Sequence, residues 1–303
     1  RNMPRDVSSF CRTLSVLGSA VLLFLLAQSS PAQSPPDAPV NVVTEVPLHI
    51  QGARVTLDAR LNGQGPFTFG FDTGASGEAW VTQALKEKLD LQVVDRIVVS
   101  DGSNVKGRST DAVRIDSITL GSTSFDRLTA PVLGDGPRKE GEPYGTLGFE
   151  LFKNYVLTLD YPAQRLRIAT GQLPVPDGQR VLAYRIDGGS PHVRVRFAGV
   201  EVETQIDSGN VGGILVAPSL ANKLPLAGPP QKGGRLASAL NEFDLFRAEL
   251  DGDLQIGDVT IARPTLFFSD LVQTPNLGRN LLRSFAITFD QAHQRVQFQS
   301  TAR

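Results

Sequence analysis

The sequence predicts a mostly β protein built as two pseudo-symmetric lobes. Three observations carry this. Apolar residues alternate with polar ones in short runs, as in Val55, Leu57, Ala59 and Leu61 before Gly63 and Gly65, and Phe67, Phe69 and Phe71 after them. That is the period of half-buried strands joined by a turn. The same design recurs at Val193, Val195 and Phe197, then Gly199, then Val200, Val202 and Ile206. The two copies also keep register, since Asp72 to Asp207 and Leu91 to Leu226 are both steps of 135 residues, which chance alternation would not maintain. At 303 residues the chain exceeds the usual size of one core, so two lobes are the better expectation.

Along the chain, Arg1, Arg5 and Arg12 precede an apolar run over residues 14–26, and Ser30 with Ala32 offers a small-x-small cleavage pattern. Residues 1–32 therefore read as a signal peptide, with a mature start near Gln33. The apolar run is short for a membrane span, and no later segment reaches the roughly 20 apolar residues a membrane helix needs. This predicts an exported chain, periplasmic or extracellular, with no stable membrane span after cleavage. Residues 33–41, rich in Pro, Ser and Ala, form a flexible lead, followed by an N-terminal lobe over 42–172, a linker over 173–179 and a C-terminal lobe over 180–303.

Within the lobes, Trp80, Val81, Leu85 and Leu89, and again Leu215, Val216, Leu220 and Leu224, fall at approximately helical spacing and predict a helix after each hairpin. ITLG ending at Gly121 and LQIG ending at Gly257 read as strands closed by glycine turns. LGFELFKNYVLTLDYPAQRLRI matches LGRNLLRSFAITFDQAHQRVQF, with Gly148 and Gly278, Asp160 and Asp290, and Arg165 and Arg295 all 130 residues apart. Each reads as a glycine turn, a short helix, a strand, a turn and a last strand.

Composition excludes several classes. Thirty basic against thirty-one acidic residues give a net charge of -1, which supplies no field for a nucleic-acid partner. Cys11 is the sole cysteine and precedes the apolar run, so the mature chain has no disulfide, cysteine nucleophile or cysteine metal site. His49, His192 and His293 are widely spaced without an HExxH pattern, and no GxSxG elbow or phosphate-binding GxxxxGK[ST] loop occurs, so no metal and no cofactor are expected.

The chemistry gathers at the end of each hairpin. Phe71 leads into Asp72, Thr73, Gly74, Ala75 and Ser76, and Ile206 into Asp207, Ser208, Gly209 and Asn210. A strand delivers a carboxylate to a sharp turn, the hydroxyl holds the turn, and glycine permits close backbone approach. A single such triplet is a common surface turn, but duplication in register argues for a site. Asp160 and Asp290 also match across the copies, yet each sits where a strand meets a turn, so turn support or pairing with Arg165 and Arg295 is expected. Trp80, the sole tryptophan, reads as a core anchor.

FDTGAS and IDSGN, with Thr146, Leu147 and Gly148 and then Asn276, Leu277 and Gly278 as apolar-Gly elements beside them, resemble the aspartic peptidases. The LGRNLL stretch is similar to the retroviral-type branch, and the two lobes in one chain to pepsin-like enzymes. The resemblance covers most of 42–298. It implies that each lobe is a closed β barrel or sheet with an active-site cleft between the two, where Asp72 and Asp207 meet, share a proton and activate a water against a peptide carbonyl, making the chain an aspartic endopeptidase of polypeptide substrates. It further implies a monomer whose internal pseudo-dimer replaces a second chain. Thr73, Gly74, Ser208 and Gly209 would support the loops, Ser76 would have a minor role near Asp72, and Ser100, Asp101, Gly102 and Ser103 would form a flap, with 236–241 a less distinctive counterpart. The alternative is an exported peptide-binding or sensor protein of the same fold without turnover. What separates the two is whether the carboxylates come within hydrogen-bond reach.

Overall fold

The computed structural model describes residues 39–51, 54–100, 107–134, 138–238 and 241–300. The expected signal peptide and the flap residues Asp101, Gly102 and Ser103 lie outside the described residues. Strands make up most of the structure, in two sheets. The first ordered strand, Asn41–Pro47, starts at the last residue assigned to the lead.

Eight strands between residues 49 and 148 form one sheet. Starting from its second strand, the order is Arg54–Leu61, Gln64–Asp72, Gly145–Gly148, Ala79–Thr82, Thr123–Leu133, Arg108–Leu120 and Val93–Val99. The second half repeats that order as Ser190–Phe197, Val200–Ile206, Asn276–Leu277, Ile214–Val216, Thr265–Phe268, Glu242–Glu249 and Gln231–Ala237. Directions repeat as well. Gln64–Asp72 runs parallel to Gly145–Gly148, and Val200–Ile206 runs parallel to Asn276–Leu277.

The alternation that marks the strands in the sequence is the alternation of burial. In Arg54–Leu61, Val55, Leu57, Ala59 and Leu61 are buried while Arg54, Asp58 and Arg60 are exposed, as a sheet with one face on the core requires. The two halves join through a run of strands at one end of the larger sheet. Val156–Asp160 pairs antiparallel with Phe285–Asp290, so that Thr158 lies opposite Thr288. These two residues occupy equivalent positions in the copies, which puts the pseudo-two-fold axis through their pair. Their hydroxyls are 3.0 Å apart. Around this seam Phe149 packs edge-on against Phe289, with ring centroids 5.0 Å apart.

The helices expected after each hairpin are corrected. Ala79–Thr82 is a strand, and only Gln83–Lys88 is helical, capped by the Thr82 hydroxyl, which accepts from the Leu85 N–H at 3.2 Å. In the second copy Ile214–Val216 is a strand followed by a single 3-10 turn, Pro218–Leu220. Both strands pair with a neighbour on each side. Short apolar runs of this kind do not distinguish a buried strand from a helix by periodicity. The proline removes a backbone donor at the start of the 3-10 turn.

Trp80 is corrected too. Ala79 and Val81 point into the core, so Trp80 takes the other face of the strand, half-buried, where its indole donates to the Ser76 carbonyl at 2.7 Å. Asp160 and Asp290 do support their turns, accepting from the Ala163 and His293 N–H groups at 3.0 and 3.2 Å, but Asp160 pairs with Arg167 at 2.7 Å rather than with Arg165, which bonds Glu45. Asp290 takes the His293 ring at 2.9 Å instead of Arg295, which donates to the Leu173 carbonyl. Arg167 and Asp160 lie two pairs apart on adjacent antiparallel strands, close enough for a long side chain to reach diagonally.

Candidate active site

Each triplet sits where a central strand ends. Gln64–Asp72 stops at Asp72, and the Gly74 N–H turns back to donate to its Oδ1 at 2.7 Å. Val200–Ile206 stops one residue before Asp207, whose Oδ1 accepts from the N–H groups of Gly209 and Asn210 at 2.9 and 3.0 Å. The carboxylate closes its own turn, which explains why the strand ends there.

The two turns are locked together by a reciprocal exchange. The Thr73 N–H donates to the Ser208 hydroxyl and the Ser208 N–H to the Thr73 hydroxyl, both at 2.9 Å. The Thr73 hydroxyl goes on to the Ile206 carbonyl at 2.7 Å, and that of Ser208 to the Phe71 carbonyl at 3.5 Å. Thr73 and Ser208 are both fully buried, so every one of these groups would be costly unpaired.

This brace sets each carboxylate against the opposing turn, Asp207 Oδ1 beside Gly74 and the Asp72 carboxylate beside Gly209. It also explains the glycines. A Cβ on Gly74 would stand 2.5 Å from Oδ1 of Asp207, and one on Gly209 would collide with the carboxylate of Asp72. Only a residue without a side chain lets each turn approach the opposing acid. Burial pushes both carboxyls above the usual carboxylate range, and for Asp207 the charge of Asp72 adds to it. Each acid acts on the protonation of the other, so the two titrate as a coupled pair.

The surroundings hold groups that the sequence did not flag. Arg279, next to Gly278, is buried, and burial lowers its pKa while Tyr161, Asp72 and Asp207 act to raise it. Tyr161 is buried beside the same groups and its phenol is pushed up, chiefly by burial. Asn276, 3% exposed, donates through Nδ2 to Asp207 Oδ2 at 2.9 Å. No spacing rule links residues so far apart in sequence. The only hint was the odd amide at the start of an otherwise apolar Leu277-Gly278 element.

Other expected residues are placed as follows. Ser76 is exposed and makes no hydrogen bond to Asp72 among the described residues. Its neighbour Gly77 donates to Glu150 at 3.3 Å. Ser100 is exposed at the end of an antiparallel hairpin whose arms pair Val99 with Arg108, and the rest of that tip lies outside the described residues. In the second copy the hairpin pairs Ala237 with Glu242, and Ser238 closes onto Asn241. Among the described residues no group of His, Cys, Asp and Glu could hold a metal ion, and no helix is long and apolar enough to cross a membrane.

Part of the chain is similar in sequence to a known family. Residues 57–151 match the family model described as aspartyl protease, a stretch that includes Asp72 and ends just past Gly148. Among solved structures, the crystal structure of Basic 7S globulin from soybean matches 87% of this chain and 96% of its own, at 14% identity and a TM-score of 0.48. No curated protein matches the chain in sequence.

Proposed function

We propose that the chain is an aspartic endopeptidase in which Asp72 and Asp207 together activate a water. The observation that carries this reading is the crossed Thr73 and Ser208 exchange, which ties together the two turns that bear the carboxylates. With one proton between them, the ionised acid takes a proton from water as its oxygen bonds the peptide carbonyl carbon. The protonated acid hydrogen-bonds the carbonyl oxygen. Collapse of the tetrahedral intermediate breaks the C–N bond, and the leaving nitrogen receives the proton that the first acid took from water. An extended peptide is the substrate class, since strands offer backbone hydrogen bonds and alternate side-chain pockets. The apolar run and cleavage pattern within residues 1–32 support action after export.

The test is digestion of a mixed peptide library across pH by the wild-type chain beside Asp72→Asn and Asp207→Asn, with folding checked by circular dichroism. Wild type should cut, and each variant should lose about a hundred- to ten-thousand-fold in rate. A folded wild type that is inert at every pH, or a variant that keeps its rate, would overturn the reading and favour a peptide-binding protein.

A further inference from the structure

We propose that Asn276, oriented by Asn210, is a positioning residue that holds Asp207 as the ionised member of the pair and leaves the shared proton on Asp72. This rests on the peptidase reading for its consequence, although not for its geometry.

The orientation of both amides follows from one unambiguous donor. The Gly212 backbone N–H meets Asn210 at 2.8 Å, so the atom it meets is the amide oxygen. The Asn210 NH2 then faces the other way, donating to Asn276 at 2.6 Å and reaching the Gly213 carbonyl at 3.3 Å. The Asn276 atom that accepts is therefore its oxygen, and its NH2 is left to face Asp207 Oδ2 at 2.9 Å. Amide flips are normally assigned from the surrounding network, and here a backbone hydrogen sets the whole chain of donors.

An amide N–H can only donate, so Oδ2 of Asp207 accepts from Asn276 while Oδ1 accepts from Gly209 and Asn210. Both oxygens of Asp207 are engaged as acceptors, which favours the charged form. In the first copy the donors to Asp72 are the backbone N–H groups of Gly74, at 2.7 Å, Gly209 and Ala75. Register aligns Asn276 with Thr146 and the turn aligns Asn210 with Ala75, and among the described residues no side-chain amide bonds Asp72.

The other ionisable groups facing Asp207 do not discriminate in this way. Asp72 comes from the opposing strand, Arg279 from the turn after Gly278 and Tyr161 from the turn after Val156–Asp160, and the last two act on both acids. The Gly209 N–H also serves both, bonding Asp207 and lowering Asp72. Burial, the charge of Asp72 and the hydrogen bond to it all favour a proton on Asp207, and the Gly74 and Ala75 N–H groups favour charge on Asp72. Asn276 opposes them with a side-chain donor that reaches only Asp207. Asp207 is then the base toward water, and Asp72 the acid toward the peptide carbonyl.

The experiment imports the first copy's residues. Wild type, Asn276→Thr and Asn210→Ala are labelled with 13C at the aspartate carboxyl carbons, and the Asp72 and Asp207 signals are assigned with Asp72→Asn and Asp207→Asn. On raising pH, Asp207 should ionise first in wild type. In Asn276→Thr that lower step should move up by about one pH unit, and the acid limb of kcat/KM should move with it. Asn210→Ala should give a smaller shift in the same direction. The proposal falls if Asp72 ionises first in wild type, or if the Asp207 step is unmoved in a folded Asn276→Thr. Asn276→Ser is the second variant should Asn276→Thr fail to fold. A correct order of titration without peptide cleavage sinks the peptidase reading and leaves this one standing. Cleavage that needs both acids, with titration indifferent to Asn276, sinks this one alone.

Discussion

The two copies share a strand order and a braced triplet, yet they support their acids differently. In both, a backbone N–H closes onto the acid, but in the first the loop beyond Gly74 is held by groups that do not touch the carboxylate, as the Trp80 indole holds the Ser76 carbonyl and Glu150 takes the Gly77 N–H. In the second, the tie is the acid itself, reached by Asn276 and shored up by Asn210. The difference teaches that duplication fixes backbone paths first. Side chains around a repeated turn can then diverge as long as every buried polar group finds a partner.

The crossed exchange is where this comparison can be broken most forcefully. Ser208→Ala orphans the Thr73 N–H, while the bond from its hydroxyl to the Phe71 carbonyl is already long. Thr73→Val orphans both the Ser208 N–H and the Ile206 carbonyl. Each orphaned buried group costs about 1–3 kcal/mol, so Thr73→Val should destabilise more than Ser208→Ala in urea unfolding. The double variant should cost less than the sum, because the four groups form one network. Equal and additive losses would mean that the brace is not shared across the axis.

How far the sequence anticipated this can be judged from particular residues. Hairpins ending at Asp72 and near Asp207 were legible because one face of each strand is buried, which writes a period of two into the chain. The glycines were legible because no other residue tolerates an acid so close to its Cα. Ala79–Thr82 and Ile214–Val216 were misread because runs of four and three residues are too short for periodicity to separate strand from helix, and Ile214–Val216 is buried throughout. Trp80 was misread because size suggests a core anchor, whereas strand alternation decides which face it takes. Asn276 was not legible as a partner of Asp207 at all, since 69 residues separate them and only the parallel pairing of Gln205 with Asn276 brings them together.

A second, smaller contrast lies at the matched acids Asp160 and Asp290. Asp290 is wholly buried and accepts from the Leu173 N–H at 3.0 Å, the His293 N–H at 3.2 Å and the His293 ring. Asp160 is slightly exposed and accepts from the Ala163 N–H at 3.0 Å and from Arg167. Replacing either by Asn keeps the shape but turns one acceptor into a donor. Asp290→Asn should cost about 2 kcal/mol and Asp160→Asn about 1 kcal/mol, read from chemical denaturation at constant pH. The reverse order would show that the Asp160 and Arg167 pair, not burial, sets the importance of this position.

The smallest expected effect tests the acids from the side of stability. Both folded-state pKa values are raised by burial, so the folded state binds more protons than the unfolded one above the ordinary aspartate range. Stability from these groups is full below about pH 4 and is lost as pH rises through the raised values. Removing one acid removes that loss, so Asp72→Asn and Asp207→Asn should each be more stable than wild type at neutral pH. The gain should be about 1 kcal/mol, or a few degrees in melting temperature, and should vanish near pH 4. Asp72→Asn should gain more, because it leaves Asp207 with its Asn276, Gly209 and Asn210 donors intact. In Asp207→Asn, by contrast, the Asn276 NH2 loses a charged acceptor. Equal gains from the two variants would erase the asymmetry between the copies at the one place where it bears on chemistry.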